Sequence, residues 1–156
     1  MVDADTLFDL LHMEIVSWMH DFKNVSKSEA NTQLEQMGFR VGQSLIEKFT
    51  KDSPRFRDEL DLMKFICKEY WMILYTKQID NLRTNHQGVY VLNDNNFKLL
   101  SKMSTTRQYV TAAPKFIAFP CGLIRGALAG LGVSSLVTAE IQDMPSCKFQ
   151  VEIQRT

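Results

Sequence analysis

Neither sign of charge predominates in this sequence: 18 lysines and arginines face 18 aspartates and glutamates, for a net charge of zero. The basic residues are dispersed, so the chain carries no electrostatic footprint for nucleic acid or anionic lipid. Cysteine is scarce as well. Cys67, Cys121 and Cys147 have no metal-type spacing and read as reduced, mostly buried thiols of a cytosolic protein. The opening MVDADTLFDLL begins acidic and lacks a basic segment, so it does not read as a secretory signal. No apolar run reaches membrane-spanning length. The longest candidate, Leu60 to Tyr75, is interrupted by Asp61, Lys64, Lys68 and Glu69. Repeats, low-complexity tracts and Pro/Gly-rich linkers are absent too, which for 156 residues points to one domain over 1–156.

The equipment for catalysis is thin. There is no Cys-x-x-Cys, no phosphate-binding or dinucleotide glycine loop, and no histidine pair at i, i+4 enclosing a carboxylate. His12 and His20 are two helical turns apart, too far to share a metal ion, and read as partly exposed helix residues. Cys121 follows Pro120 at a predicted helix start, where the helix dipole lowers a thiol pKa. The favoured reading is nonetheless a small buried residue. Arg83, His86 and Arg125 are candidates for an anion site, with solvated or ion-paired surface roles the better default. No nucleophile–base–orienter set is visible, so catalytic residues, metal and cofactor are all expected to be none.

What the chain has is apolar surface: 45% of its residues are hydrophobic and 23% charged. Leu7, Leu11, Ile15, Trp18, Met19 and Phe22 recur at helical spacing after Asp5 or Thr6 as N-cap. A loop at Asn24–Ser28 ends that helix. Ser26 or Ser28 then caps a second, with Leu34, Met37, Val41, Leu45 and Phe49 on its buried side. Ser53 followed by Pro54 reads as the start of a third. In this third helix twelve of the sixteen residues from Leu60 to Tyr75 are apolar, and Asp61, Lys64 and Lys68 form one narrow polar stripe. A helix apolar almost all round needs cover on several sides, and in so short a chain a second polypeptide is the natural source.

Beyond Arg83 the period changes. Val89–Leu92 and Phe97–Leu100 read as two strands of a hairpin around Asn93-Asp94-Asn95-Asn96. Residues 101–118 carry no firm pattern. Pro120 reads as the first residue of a helix through Leu128, ended by Gly130 or Gly132. Ser135–Ile141 reads as a strand, and Cys147, Phe149, Val151 and Ile153 alternate with polar residues along the last one. The expected class is therefore α+β. Gly38 and Gly42 stand four apart on the second helix, and Gly122, Gly126 and Gly130 repeat that spacing later. Both sets predict close approach of another helix, for Gly38 and Gly42 either from a partner or from this same chain.

Five stretches carry a resemblance: MGFRVGQSLIEKFTKD (Met37–Asp52), ELDLMKFICKEYW (Glu59–Trp71), KQIDNLRTNHQGVYVLND (Lys77–Asp94), CGLIRGAL (Cys121–Leu128) and CKFQVEIQ (Cys147–Gln154). The chain resembles the subunit 6 branch of the small-subunit family of the transport protein particle (TRAPP) complex, related to the Bet-three protein. MGF-x-x-G and CG-x-x-RG-x-L mark the superfamily, and LRTNHQGVYVL the branch. The resemblance implies helices packed on one side of a twisted four-stranded antiparallel sheet. It also implies a heterodimer with a Bet-three-like subunit inside a vesicle tether that catalyses nucleotide exchange on a Rab GTPase, peripheral to Golgi and endoplasmic reticulum. Other TRAPP subunits would be further partners, and the chain alone would form dimers or stick nonspecifically. By the same implication the partner interface would take in Leu7, Leu11, Ile15, Trp18, Leu34, Met37, Gly38, Val41, Gly42 and Leu45. The Bet-three relative carries an acylated cysteine that Thr50–Glu59 of this chain lacks, Phe56 lying near the expected place, so no acyl chain is expected there. The alternative is a small apolar-ligand or acyl-binding domain, with a cavity beneath the sheet.

Overall fold

The computed structural model describes residues 4–22, 26–51, 55–103 and 113–155. Helix α1 (Ala4–Ser17) runs on through a π turn, Trp18–Phe22. Ala4 is already helical, so the expected caps Asp5 and Thr6 lie inside the helix. The second helix, α2 (Lys27–Thr50), begins as expected at Ser26, whose side chain accepts from the Glu29 amide (3.1 Å). Ser53 and Pro54 lie outside the described residues. The apolar helix itself starts at Asp58, whose carboxylate accepts from the Asp61 amide (2.8 Å). It comprises α3 (Glu59–Phe65), a π turn (Ile66–Tyr70) and α4 (Trp71–Tyr75), and ends at Thr76 in the left-handed region (φ 58°).

Strands β1 (Asn81–Thr84) and β2 (Val89–Asp94) form the observed hairpin. Its turn is held by the Asn85 side chain, which accepts from the amides of Gln87 (2.8 Å) and Val89 (3.1 Å). The hairpin expected between Val89–Leu92 and Phe97–Leu100 does not form: Phe97–Leu100 opens onto α5 (Lys98–Met103). The reason is Asp94. Fully buried, it accepts from Trp71 Nε1 (2.9 Å), Lys77 Nζ and the Asn96 amide, and turns the chain inward. Phe97 then stacks on Trp71 (ring centroids 5.9 Å) and meets Tyr75 edge-on (4.9 Å). Short apolar runs carry no period that separates a strand from a buried helix.

A 3-10 turn, Ala113–Phe116, leads into α6 (Ala118–Gly130). Pro120 is its third residue rather than its first, still in the opening turn where a missing N–H leaves no bond unmade. At its other end Gly132 takes φ +86°. The Val133 amide reaches the Leu128 carbonyl (2.8 Å) and the Gly132 amide that of Ala129 (3.0 Å), the paired bonds of a Schellman motif. Strands β3 (Ser135–Ile141) and β4 (Cys147–Ile153) occupy the expected residues. The sheet is four-stranded, in the order β1-β2-β4-β3, and antiparallel throughout.

Leu92, Phe149, Val151 and Val137 face the helices and are buried, while Gln150, Glu152 and Thr138 on the other side are exposed. The class is α+β, with the helices on one face of the sheet. Helix α3–α4 is the middle of that layer. Trp71 packs on Phe149 (5.2 Å) and Tyr70 donates to the Leu123 carbonyl of α6 (2.9 Å). Most of its cover is therefore the chain's own; among its large hydrophobic side chains only Met72 and Ile73 stay exposed.

Candidate partner-binding surface

The row of α2 that points inward is Ala30, Leu34, Gly38, Gly42 and Ile46, one residue per turn. It meets α6 backbone to backbone. A Cβ added to Gly38 would overlap the Phe119 carbonyl, and one on Gly42 that of Leu123. From the opposite helix, a Cβ on Gly122 or Gly126 would overlap the carbonyl of Glu35 or Phe39. Both sets of glycines thus serve one crossing within this chain. This corrects the partner reading of Leu34, Gly38 and Gly42, which are buried against α6 and have no surface to offer. It also corrects the buried side of α2: Val41 and Phe49 are exposed, because glycines that read as gaps in the apolar pattern fill the inner row.

The remaining candidates lie on two outer faces. On α1 the inward residues are Asp9, His12, Val16 and Met19. Leu7 is left 62% exposed, Leu10 56%, Leu11 57% and Trp18 49%, with Ile15 half-buried beside them. Leu10 was absent from the sequence-derived set, although its place one turn from Leu7 marked it. On α2 the flank Met37, Val41, Leu45 and Phe49 follows an i+4 row. Val41 and Phe49 are exposed, while Met37 and Leu45 pack partly on the core. A helix face is stable in water only at a cost when this apolar, so its spacing points to a covering surface.

On the other flank of α2, Glu35 receives the Arg125 guanidinium through Nε and through Nη2 (3.2 Å), and that guanidinium also lies over the Phe39 ring (4.1 Å). Arg83 and His86 belong to the β1–β2 hairpin at the opposite edge of the sheet from β3, against which α6 packs. The anion site is therefore not assembled, and Arg125 is ion-paired.

None of the thiols is activated. Burial, reinforced by the Glu35 charge, pushes Cys121 up to about 12; burial alone does the same to Cys67, and burial with Cys121 and the Asp94 charge drives Cys147 upward as well. Desolvation outweighs the helix-start effect weighed for Cys121. His12 departs from its expected exposure. It is 4% exposed, with its ring 4.7 Å from Phe119 and flanked by Phe8 and Phe116. Burial lowers its pKa to about 4, so it is a neutral core residue. His20 is only half-buried and lowered first by burial, then by Lys115. Among the described residues no group of His, Cys, Asp and Glu could hold a metal ion, and no helix is long and apolar enough to cross a membrane.

A helix layer on one face of a four-stranded antiparallel sheet, presenting apolar helical faces rather than an ordered constellation of reactive groups, defines the class. The chain belongs to the transport protein particle (TRAPP) component family, whose sequence profile matches residues 8–154. It is 58% identical to trafficking protein particle complex subunit 6b of Danio rerio over 97% of this chain and 98% of that protein. Subunit 6B of Homo sapiens shows the same identity and coverage, and human subunit 6A is 51% identical over 98% of this chain and 99% of its own. Among solved structures, trafficking protein particle complex subunit 3 from Naegleria fowleri, covalently bound to palmitic acid, shares the fold. Its TM-score is 0.76 at 21% identity, covering 97% of this chain and 95% of that one.

Proposed function

We propose that this chain is a non-catalytic subunit of the TRAPP vesicle-tethering assembly, docked through helices to a Bet-three-like subunit. The docking surface comprises Leu7, Leu10, Leu11, Ile15 and Trp18 of α1, with Met37, Val41, Leu45 and Phe49 of α2. The observation that carries this reading is the outer face of α1. Leu7, Leu10 and Leu11 are more than half exposed and Trp18 nearly half, and covering each would contribute about 1 kcal/mol, half the value for burying such a side chain completely. The near-complete coverage by subunit 6 relatives supports the assembly to which the surface belongs. In it the subunit supports Rab nucleotide exchange as scaffold, peripheral to endoplasmic reticulum and Golgi.

Coexpression with a Bet-three-like subunit, followed by size exclusion with light scattering, tests the pairing. A 1:1 complex is expected, lost in Leu11→Asp while circular dichroism and thermal unfolding of the variant stay unchanged. A chain that remains a monomer beside that subunit defeats the proposal. An acyl-binding role has less support, since Thr50–Glu59 contains no cysteine and the three thiols are buried. A lipid retained in native mass spectrometry of the purified chain would reverse that ranking.

A further inference from the structure

β3 lies at the edge of the sheet, paired with β4 on one side only. The ladder settles which of its backbone groups are used. The Gln154 amide donates to the Ser134 carbonyl (2.9 Å) and the Gln142 amide to the Ser146 carbonyl (3.2 Å), so the even-numbered positions of this stretch bond to β4. Alternation in an antiparallel pair then turns the N–H and C=O groups of Ser135, Val137 and Ala139 outward, toward the open edge. Among the described residues these groups have no other hydrogen-bond partner.

Along that edge runs a groove of about 800 Å³. One wall is Ser134 with β3 from Ser135 to Ala139, about 20 Å of extended chain at 3.3–3.4 Å per residue. The other is the first half of α2, including Lys27 and Glu35, together with Ala118, Cys121 and Arg125 of α6. Two polar features distinguish it. The Ser135 hydroxyl is buried, with the residue 7% exposed, and has no hydrogen-bond partner among the described residues. Lys27 has no ion-pair partner among them either, whereas Glu35 and Arg125 neutralise one another. A row of unpaired strand amides and carbonyls is a template for one more strand.

We propose that this groove receives an extended segment of a partner protein, which adds a fifth strand beside β3 and sets an acidic residue against Lys27. The segment bonds to the backbone of Ser135, Val137 and Ala139. Its inward side chains meet Ala118, Cys121 and Ala139, small neighbours that admit residues of valine size. α2 forms the far wall, which leaves room for a strand and bars a second sheet with its own helix layer. The site uses the flank of α2 opposite to Met37, Val41 and Leu45, so it goes beyond the helical pairing and is compatible with it.

The probe is the synthetic peptide acetyl-Glu-Val-Thr-Val-Thr-Val-amide, added to the isotope-labelled full chain and followed by amide exchange and anisotropy. Amides of Ser135, Val137 and Ala139 are expected to gain about tenfold protection, while those of Leu136 and Thr138, already bonded to β4, change little. Ala139→Pro removes an outward N–H and no bond to β4, and is expected to weaken binding about tenfold; Ala139→Thr restores it. Lys27→Glu is expected to favour the peptide headed by lysine over the one headed by glutamate. A version of the peptide N-methylated at alternate residues tests the ladder on the unaltered chain, should Ala139→Pro fail to fold. The proposal falls if the methylated and parent peptides bind alike, if protection appears on α1 or on the Met37–Phe49 flank instead, or if sedimentation shows that β3 pairs two copies of this chain.

Discussion

At the crossing of α2 and α6, Gly38, Gly42, Gly122 and Gly126 let two backbones touch, and nothing larger than hydrogen fits at any of them. On the outer side of α1, Leu7, Leu10, Leu11 and Trp18 stand in solvent. Both regions are low in charge and both have helical spacing, so both look like places where another helix belongs. The difference is the source of that helix. At the crossing it comes from the same chain, some eighty residues away, and the contact is part of folding. On α1 the described residues leave Leu7, Leu10 and Leu11 more than half exposed, and that apolar area is the surface proposed for binding. Substitutions at the crossing should therefore act on stability, and those on α1 on assembly.

The largest effect separating the two is expected from Gly126→Val. Its added carbons collide with the Phe39 backbone, which cannot move as a side chain could, and about 3 kcal/mol or more of stability should be lost in urea unfolding. Retention of the wild-type midpoint would mean that the crossing is loose, and would erase the contrast. The counterpart on α1, Leu11→Asp, should weaken the 1:1 complex by about 2 kcal/mol while the midpoint shifts by about 0.5 kcal/mol or less. An α1 variant that unfolds the isolated chain would assign that face to the core.

The inner side of α1 offers a pH test. His12 has a folded pKa of about 4 against an ordinary 6.5, so between these values the unfolded chain binds the proton and the folded one does not. Stability from this site is complete above pH 6.5 and falls as pH drops toward 4, by something on the order of 2–3 kcal/mol across the window. His12→Leu should flatten that part of the stability-against-pH curve relative to wild type; parallel curves would show that His12 is hydrated. The smallest effect is expected from Arg125→Ala at the rim of the crossing. Its pair with Glu35 is partly exposed and should be worth about 1 kcal/mol, with the loss shrinking in high salt.

Elements with a strong period were legible in advance. β3 and β4 fall on the residues their alternation marked, and Ser26 caps α2 as its side-chain chemistry requires. Phe97–Leu100 was misread because a short apolar run is silent about period, and the buried Asp94 that turns it inward is visible only with Trp71 and Lys77 around it. Which residues of the proposed binding surface lie outside was half legible. Leu7, Leu11, Trp18 and Val41 were marked by spacing and lie outside, whereas Leu34, Gly38 and Gly42 were marked by the same signal and lie inside. Periodicity identifies the faces a helix must cover; it does not say which of them its own chain covers.

By itself the sequence determined the α+β class, the two C-terminal strands, the family and the need for close helix contact, since these rest on local spacing and on residue types. Only the tertiary structure decided that the glycine rows face each other, that His12 and the three thiols are buried, and that, among the described residues, the β3 edge of the sheet keeps its outward hydrogen-bonding groups unpaired. Those are matters of which distant segments meet, and burial, desolvation and unpaired backbone groups come into being only when they do.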